Sequence, residues 1–542
     1  MAKVSVSAPL RAMELFAGVG GFRAGLEGLG TQEHPSDGNF EVVFSNQFEP
    51  RTTRQHASEV YVHRFGDAGH SNEDIAAVVN DPNKFAQILS ARPEVLVGGF
   101  PCQDYSVANG NAQGLAGAKG ALWWSIEQCL RQLKDAGQAV KYLLLENVDR
   151  LLKSPTLCRG QDFATILSSL SALGYAVEWR VVNAADYGFA QARQRVFIMA
   201  YHSSTAVYSQ IVKGTSAVYC SELDTLHAAQ WLTTTSVVAK ALPVATAMPT
   251  KMHSFELGSD FQSTAASYHP HANGASQFEN CGVMVNGTVY TYKSKAAAFS
   301  DYAAFLGAGN VAARTLGDVV AQTTDVPEEF YLDESSLKKW REYKGAKTKA
   351  RVSEEGHAYT YSEGAVRFPD PLERPSRTII TGEGGAAASR FKHVVNTLDG
   401  RMRRLTAEEL EALNGFPRGF TDVAGFSATK RAFFMGNALV VGIVAALGRA
   451  LATRVRSLEP VEGSPASCLN ARSGRRCTPA VQILPASTAI TQRSASHAYR
   501  LMDARAKVEK HHVEKHQLRG IHAVHRRALR RRKTVIAQDA YG

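Results

Sequence analysis

A cysteine framed by glycine and proline is the sharpest chemical feature of the chain: Gly98-Gly99-Phe100-Pro101-Cys102-Gln103 follows a short apolar run. A thiol is an intrinsically strong nucleophile, although only a few per cent is thiolate at neutral pH. A lone cysteine is more often a small buried hydrophobe, but the flanking glycine and proline argue for a shaped loop. A second apolar run ends in Glu146-Asn147-Val148. Nothing just before Glu146 in the chain neutralises it. A carboxylate there could be a general acid with a raised pKa, a helix cap or half of a surface ion pair. In Gln191-Ala192-Arg193-Gln194-Arg195 the two arginines alternate. In an extended chain Arg193 and Arg195 project to the same side and could hold a phosphate or a base carbonyl; a solvated edge is the plainer reading.

Two more segments could cradle a ligand. Phe16-Ala17-Gly18-Val19-Gly20-Gly21-Phe22 lies where a strand turns into a helix, and its glycines let the backbone approach a cofactor. Arg23 stands where a dinucleotide fingerprint needs glycine, so that motif is not met. A tight turn with no ligand is the alternative. In Asn46-Gln47-Phe48-Glu49-Pro50, Glu49 is the carboxylate available for a ribose hydroxyl and Phe48 could lie against an adenine face.

Positioning these groups requires a layered scaffold. Apolar runs predict strands at Ala12–Phe16, Glu41–Ser45, Val95–Gly98, Tyr142–Glu146, Ala176–Val182 and Arg195–Ala200. Helical periodicity predicts helices at Phe22–Leu29, Arg51–Arg64, Gly120–Ala136 and Asp162–Leu173. This alternation indicates a parallel sheet covered on both faces, with the last two strands antiparallel because their connection is too short for a crossover helix. In such sheets ligands sit beyond the carboxyl ends of the strands, so Cys102 would face the cofactor's pocket, while Gln191–Arg195 leads into a strand. From about Ser203 to Asp370 Ser, Thr, Ala and Gly dominate and periodicity fades. Order returns at Arg377–Thr381, at a capping box opened by Thr406 with Glu409, and in a helix near Ala432–Arg454.

This ordered set of motifs resembles the DNA (cytosine-5)-methyltransferase family over about residues 11–200 and 374–455. Arg404–Phe420, with Asn414-Gly415-Phe416-Pro417, and Gly436-Asn437-Ala438 resemble its closing motifs. The resemblance implies an α/β, Rossmann-like S-adenosylmethionine-dependent methyltransferase with an inserted, less regular target-recognition domain. It implies a catalytic domain at 1–202, target recognition at 203–373, a return completing the catalytic domain at 374–456 and a basic tail at 457–542. It implies that Cys102 attacks C6 of a cytosine swung out of duplex DNA while Glu146 hydrogen-bonds N3. Arg195 would contact the base near O2 and Arg193 would help hold the site. Gln103–Ala121 would close over the base. The cofactor would meet Phe16, Gly18, Gly20, Gly21, Phe22, Phe48, Pro101, Leu122, Asn437 and Ala438. Gln47 or Glu49 would take the ribose. Asp74-Ile75 resembles the adenine-contacting segment, with Asp67 as a rival. Ala121 stands where relatives often have threonine.

The formal net charge of +11 is concentrated at one end. From Ser457 onward 16 Lys and Arg face 6 Asp and Glu, so the rest of the chain is close to neutral. A basic helix or a disordered appendage could account for the tail, and its basic residues could add sequence-blind DNA affinity. Seven cysteines without paired spacing suggest a reducing, cytoplasmic setting. The His-rich tail lacks a close pair of cysteines, so no metal is expected. Ala432–Leu451 is apolar but interrupted by Asn437 and Arg449, which favours a buried helix over a membrane span. The expected protein is a prokaryotic or phage monomer acting on duplex DNA, alone or beside a cognate restriction endonuclease. A transfer-RNA substrate is the rival; the long insert favours DNA.

Overall fold

The computed structural model describes residues 8–30, 35–50, 52–100, 122–214, 221–245, 248–249, 251–300, 312–352 and 358–458. Pro101, Cys102, the segment 103–121 and the tail from 459 lie outside the described residues.

Each predicted strand forms, to within two residues at each end. They are β1 (Leu10–Leu15), β2 (Phe40–Asn46), β4 (Val95–Gly99), β5 (Tyr142–Asn147), β6 (Tyr175–Asn183) and β7 (Gln194–His202), with a short β3 (His70–Ser71) beside β2. Helices α1 (Gly21–Glu27), α5 (Leu122–Asp135) and α6 (Gln161–Ala172) match expectation to within two residues, while α2 (His56–Phe65) starts five residues later than expected. Two more, α3 (Ile75–Asn80) and α4 (Pro82–Ala91), fill the connection to β4. Their start signals are local: Asp74 caps the first, and Asp81 caps the second with Pro82 in its first turn.

The strands line up in the order β3-β2-β1-β4-β5-β7-β6. They pair in parallel from β3 to β5, and β7 runs antiparallel between β5 and β6. Alternation explains why both faces are buried. Val95 and Val97 of β4, with Tyr142 and Leu144 of β5, enter one apolar cluster. Leu96, Leu143 and Leu145 enter the other.

The sheet does not stop at residue 202. Three strands from the region expected to be separate and irregular extend it beyond β6, in the order β9 (Cys281–Val285), β10 (Thr288–Tyr292) and β8 (Met252–Glu256). The turn Asn286-Gly287 joins β9 to β10 with φ of 51° and 87°, the two-residue hairpin geometry that Asn-Gly favours. Gly282 lies flush against the Trp179 indole, where no side chain would fit. The edge of β6 is thus covered by strands contributed from the expected insert.

The return segment also departs in detail. Arg377–Thr381 forms no strand; only an isolated bridge joins Ser376 to Gln191. The capping box at Thr406 and Glu409 forms and opens the helix Ala407–Leu413. The expected single helix is two, Ala428–Asn437 and Val441–Leu458. Ala438 is extended, and the Val441 amide donates to the Asn414 carbonyl at 2.9 Å, so the break is built in. By length and composition Ala428–Leu458 could cross a membrane, yet two thirds of its most apolar stretch is buried within the fold. The second helix packs on α1 through close backbone approach. A Cβ at Gly25 would stand 2.8 Å from Val444, and one at Gly448 would stand 2.6 Å from Leu26.

Candidate active site

The loop after β1 is backbone-strained before any ligand is considered. Phe16 has φ of 56°, a left-handed conformation rare for an aromatic residue and typical of functional turns. Gly18 is also left-handed, and nothing lies within 4 Å of where its Cβ would be. Gln47, at the end of β2, accepts a hydrogen bond from the Gly18 amide at 2.7 Å and so shapes the loop. Gly20 abuts Phe65, while Gly21 and Phe22 are buried at the start of α1.

Around this loop the strand ends supply the other candidates. Glu49 is half-buried, and its carboxylate accepts from Thr52 Oγ1 at 3.3 Å. Phe48 is half-buried next to it. Because β3 runs parallel to β2, Asp74 follows it at the carboxyl edge while Asp67 precedes it at the opposite edge. The exposed Asp74 accepts from the Ala76 amide at 3.0 Å, and Ile75 is buried. Leu122 opens α5 half-buried. Asn437 is exposed and Ala438 half-buried at the break between the two return helices.

The reacting edge is centred on Glu146. Its neutralising partner comes from the adjacent strand: Arg195 Nε lies 2.9 Å from Glu146 Oε1, across the β5–β7 pairing. Both side chains are largely but not fully buried, at 13% and 18% exposure. A Cβ on Gly99 would stand 3.2 Å from Glu146 Oε2, so the glycine keeps space at the carboxylate. Asn147 Nδ2 donates to the Phe100 carbonyl at 3.2 Å, tying the end of β4 to the end of β5. Cys102 and Pro101, which follow directly, lie outside the described residues.

The two arginines go separate ways. Arg193, 2% exposed, donates to the carbonyls of Ile379 at 3.1 Å and Gly436 at 3.0 Å. Gln191 donates to Asn414 Oδ1 at 2.8 Å and accepts from the Ile379 amide. Asn414 in turn donates to the Met435 carbonyl at 3.0 Å. Gln191 and Arg193 therefore fasten the return segment to β7, while Arg195 faces the carboxylate. The solvated-edge alternative does not describe either arginine.

One group was missed in the sequence. Glu14 sits inside the apolar run of β1 and is fully buried. Tyr61 of α2 donates to its Oε2 at 3.1 Å, and Arg23 reaches the Tyr61 hydroxyl at 3.5 Å. Burial pushes the Glu14 carboxyl up to about 8, opposed by the Tyr61 bond and by Arg23. His70 stacks on Tyr61 and bonds Ser45 and Ser58, and burial lowers its pKa. A carboxyl in an otherwise apolar strand was the only sequence signal.

The sheet is doubly wound and Rossmann-like, with a strained glycine loop after its first strand and a reversed β7 that brings Arg195 to Glu146. A family model described as C-5 cytosine-specific DNA methylase matches residues 10–453, and the chain belongs to that family of DNA-methylating enzymes. Type II methyltransferase M.Sau3AI of Staphylococcus aureus is 38% identical over 443 residues, covering 81% of this chain and 94% of that protein. Type II methyltransferase M.HaeII of Haemophilus aegyptius is 31% identical over 191 residues, covering 35% and 50% respectively.

Proposed function

We propose that the protein methylates C5 of a cytosine within one short sequence of duplex DNA, with Cys102 as nucleophile and S-adenosylmethionine as donor. The observation that carries the reading is the Glu146–Arg195 pair at the carboxyl edge of β5, tied through Asn147 to the chain entering the cysteine loop.

The residues present fit the donor. Gly18 leaves open space at a strained turn, Glu49 offers a carboxylate for ribose hydroxyls, and Asp74-Ile75 and Leu122 offer a polar and an apolar contact for a purine. Gln47 shapes the loop through the Gly18 amide, and it or Glu49 would take the ribose. Phe16, Gly20, Gly21, Phe22, Phe48, Pro101, Asn437 and Ala438 complete the candidate set. When bound, S-adenosylmethionine supplies an electrophilic methyl group.

The chain's own residues then act on the base. The cytosine leaves the stack, because its C5 and C6 cannot be reached inside the helix. The Cys102 thiolate forms a bond to C6. Glu146 in its carboxylic acid form donates its proton toward N3, so that the ring's electrons reach C5 and make it nucleophilic. Arg195 orients that carboxyl group and meets the base near O2. After C5 is methylated, water takes its proton, the freed electron pair re-forms the C5–C6 double bond as the C6–S bond breaks and Cys102 leaves as thiolate, and N3 returns its proton to Glu146. Arg193 holds the return segment on which Asn437 sits.

The relatives' designation as Type II methyltransferases supports a place in a restriction–modification pair in a bacterial cytoplasm, the protein acting as a monomer beside an independent endonuclease. The test is bisulfite sequencing of DNA from a methylation-deficient host expressing wild type or Cys102→Ser. Methylated cytosines in one short context with wild type only are expected. Methylation by Cys102→Ser would overturn the mechanism, and methylation of transfer RNA alone by the wild type would overturn the substrate.

A further inference from the structure

The strands added beyond β6 bring a second set of side chains to the edge that carries Glu146 and Arg195. β5 and β6 run toward that edge and β7 runs away from it. Antiparallel pairing carries the alternation outward, so β9 begins at the same edge with Cys281 and β10 ends there with Tyr292. The residues just beyond these strand ends therefore stand in one row with the reacting pair. A cleft of about 740 Å³ opens along the row, lined among others by Lys153, Asn183, Gln194, Asn280, Lys293 and Lys295. Gln194 precedes Arg195 in the chain and donates to Asp149 at 3.0 Å, so the cleft begins where the catalytic edge ends.

The segment after β10 is held in one conformation. Ser294 is buried; its amide donates to Asn280 Oδ1 at 2.7 Å, and Asn280 Nδ2 donates to the Ser294 carbonyl at 2.9 Å. The Lys295 carbonyl accepts from the Ala245 amide at 2.9 Å. With Ser294 turned inward, Lys293 and Lys295 are exposed on either side of it. In extended chain such residues stand roughly 7 Å apart, so each can meet a different phosphate. Among the described residues neither they nor Lys153 forms an ion pair with a carboxylate. The other charged groups lining the cleft are the buried Arg180 and the carboxylates Asp149, Asp186 and Glu279, of which Gln194 holds the first and Asn183 the second.

We propose that this extension of the catalytic sheet binds the phosphate backbone of the duplex flanking the target cytosine, through Lys293 and Lys295 after β10 and Lys153 beyond β5, all three lining the cleft. The proposal rests on the DNA-methylating reading above. It gives β8–β10 a task distinct from chemistry: they hold the duplex at the edge where the base is processed.

The experiment compares wild type with Lys293→Gln/Lys295→Gln. Binding of a fluorescent mixed-sequence duplex is followed across salt concentrations, and methyl transfer from tritiated S-adenosylmethionine to unmethylated bacterial DNA is measured alongside. The variant is expected to bind DNA about ten-fold more weakly, with a salt slope smaller by about 1 to 2. Turnover at saturating DNA and cofactor affinity stay at the wild-type level. Arg92→Gln/Lys213→Gln removes the same charge from the opposite edge, before β4 and after β7, and is expected to change neither quantity. A wild type that transfers no methyl to DNA would sink the functional reading itself. An active wild type whose affinity and salt slope are matched by Lys293→Gln/Lys295→Gln, or lost equally in the control, would overturn this proposal alone.

Discussion

From β3 to β5 every strand runs the same way, and the loops following the long ones carry the cofactor and reaction candidates: Gly18 after β1, Glu49 after β2, Cys102 after β4 and the end of β5 itself at Glu146. From β7 to β8 each neighbour is reversed, and the site gains groups from strand starts as well as strand ends. Arg195 belongs to this second kind. It lies at the start of β7, 49 residues after Glu146, and reaches it only because β7 is inserted antiparallel beside β5. The parallel half supplies chemistry by repeating one local pattern; the antiparallel half supplies partners that no local pattern announces.

Arg193 and Arg195 expose that division most sharply, since they are two residues apart and serve different ends. Arg193→Ala is expected to destabilise the fold by about 3 kcal/mol or more, because it strands buried carbonyls of Ile379 and Gly436. Arg195→Ala is expected to lower the melting temperature less than Arg193→Ala does, because its carboxylate partner keeps some contact with water, and to lower the methyl-transfer rate. Thermal melts and single-turnover assays on the two variants test this together. Equal melting temperatures would show that the return segment does not depend on the Arg193 clamp.

The next effect in size belongs to Glu146. Glu146→Gln keeps a side chain of the same shape but loses the acid and the charge facing Arg195. Transfer at saturating DNA is expected to fall by a factor of about 100, the scale of a lost general acid. Cofactor affinity should hold. A variant that changed only DNA affinity would move Glu146 from chemistry to binding and blur the distinction between the two halves.

What could be read in the chain follows the same line. The parallel strands were legible because each is a compact apolar run closed by glycine or a polar residue, and the helix at Ala407 because Thr406 and Glu409 announce its cap. The start of α4 is equally announced by Asp81-Pro82, and the β9–β10 hairpin by Asn286-Gly287 between alternating residues; both signals are local. The helix break at Ala438–Val440 was not local, since it answers to Asn414. The Arg195–Glu146 pair, the Arg193 clamp and the row of Asn280, Lys293 and Lys295 depend on which strands become neighbours. That is set by packing between distant segments, not by any window of sequence.

Each half also buries a carboxyl on a strand, and the pair gives the comparison a pH axis. Glu14 on β1 and Glu178 on β6 are both held by tyrosines, Tyr61 and Tyr201, and burial raises both. Unfolded, Glu14 loses its proton in the ordinary carboxylate range; folded, it keeps it up to about 8. Between those limits the unfolded state binds fewer protons, so stability is fullest at low pH, declines as pH rises through the window and levels off above it. From about pH 6 to about pH 8 this one group is expected to cost roughly 2 kcal/mol of stability. Glu14→Gln keeps an acceptor for the Tyr61 hydroxyl and cannot ionise, so its denaturation midpoint should fall less over that range than the wild type's. Glu178→Gln should flatten the curve in the same sense. If Glu14→Gln and wild type lose stability in parallel, the Glu14 proton is not linked to folding. Its contribution to the strand that leads into the Phe16 loop would then lie in the Tyr61 contact alone.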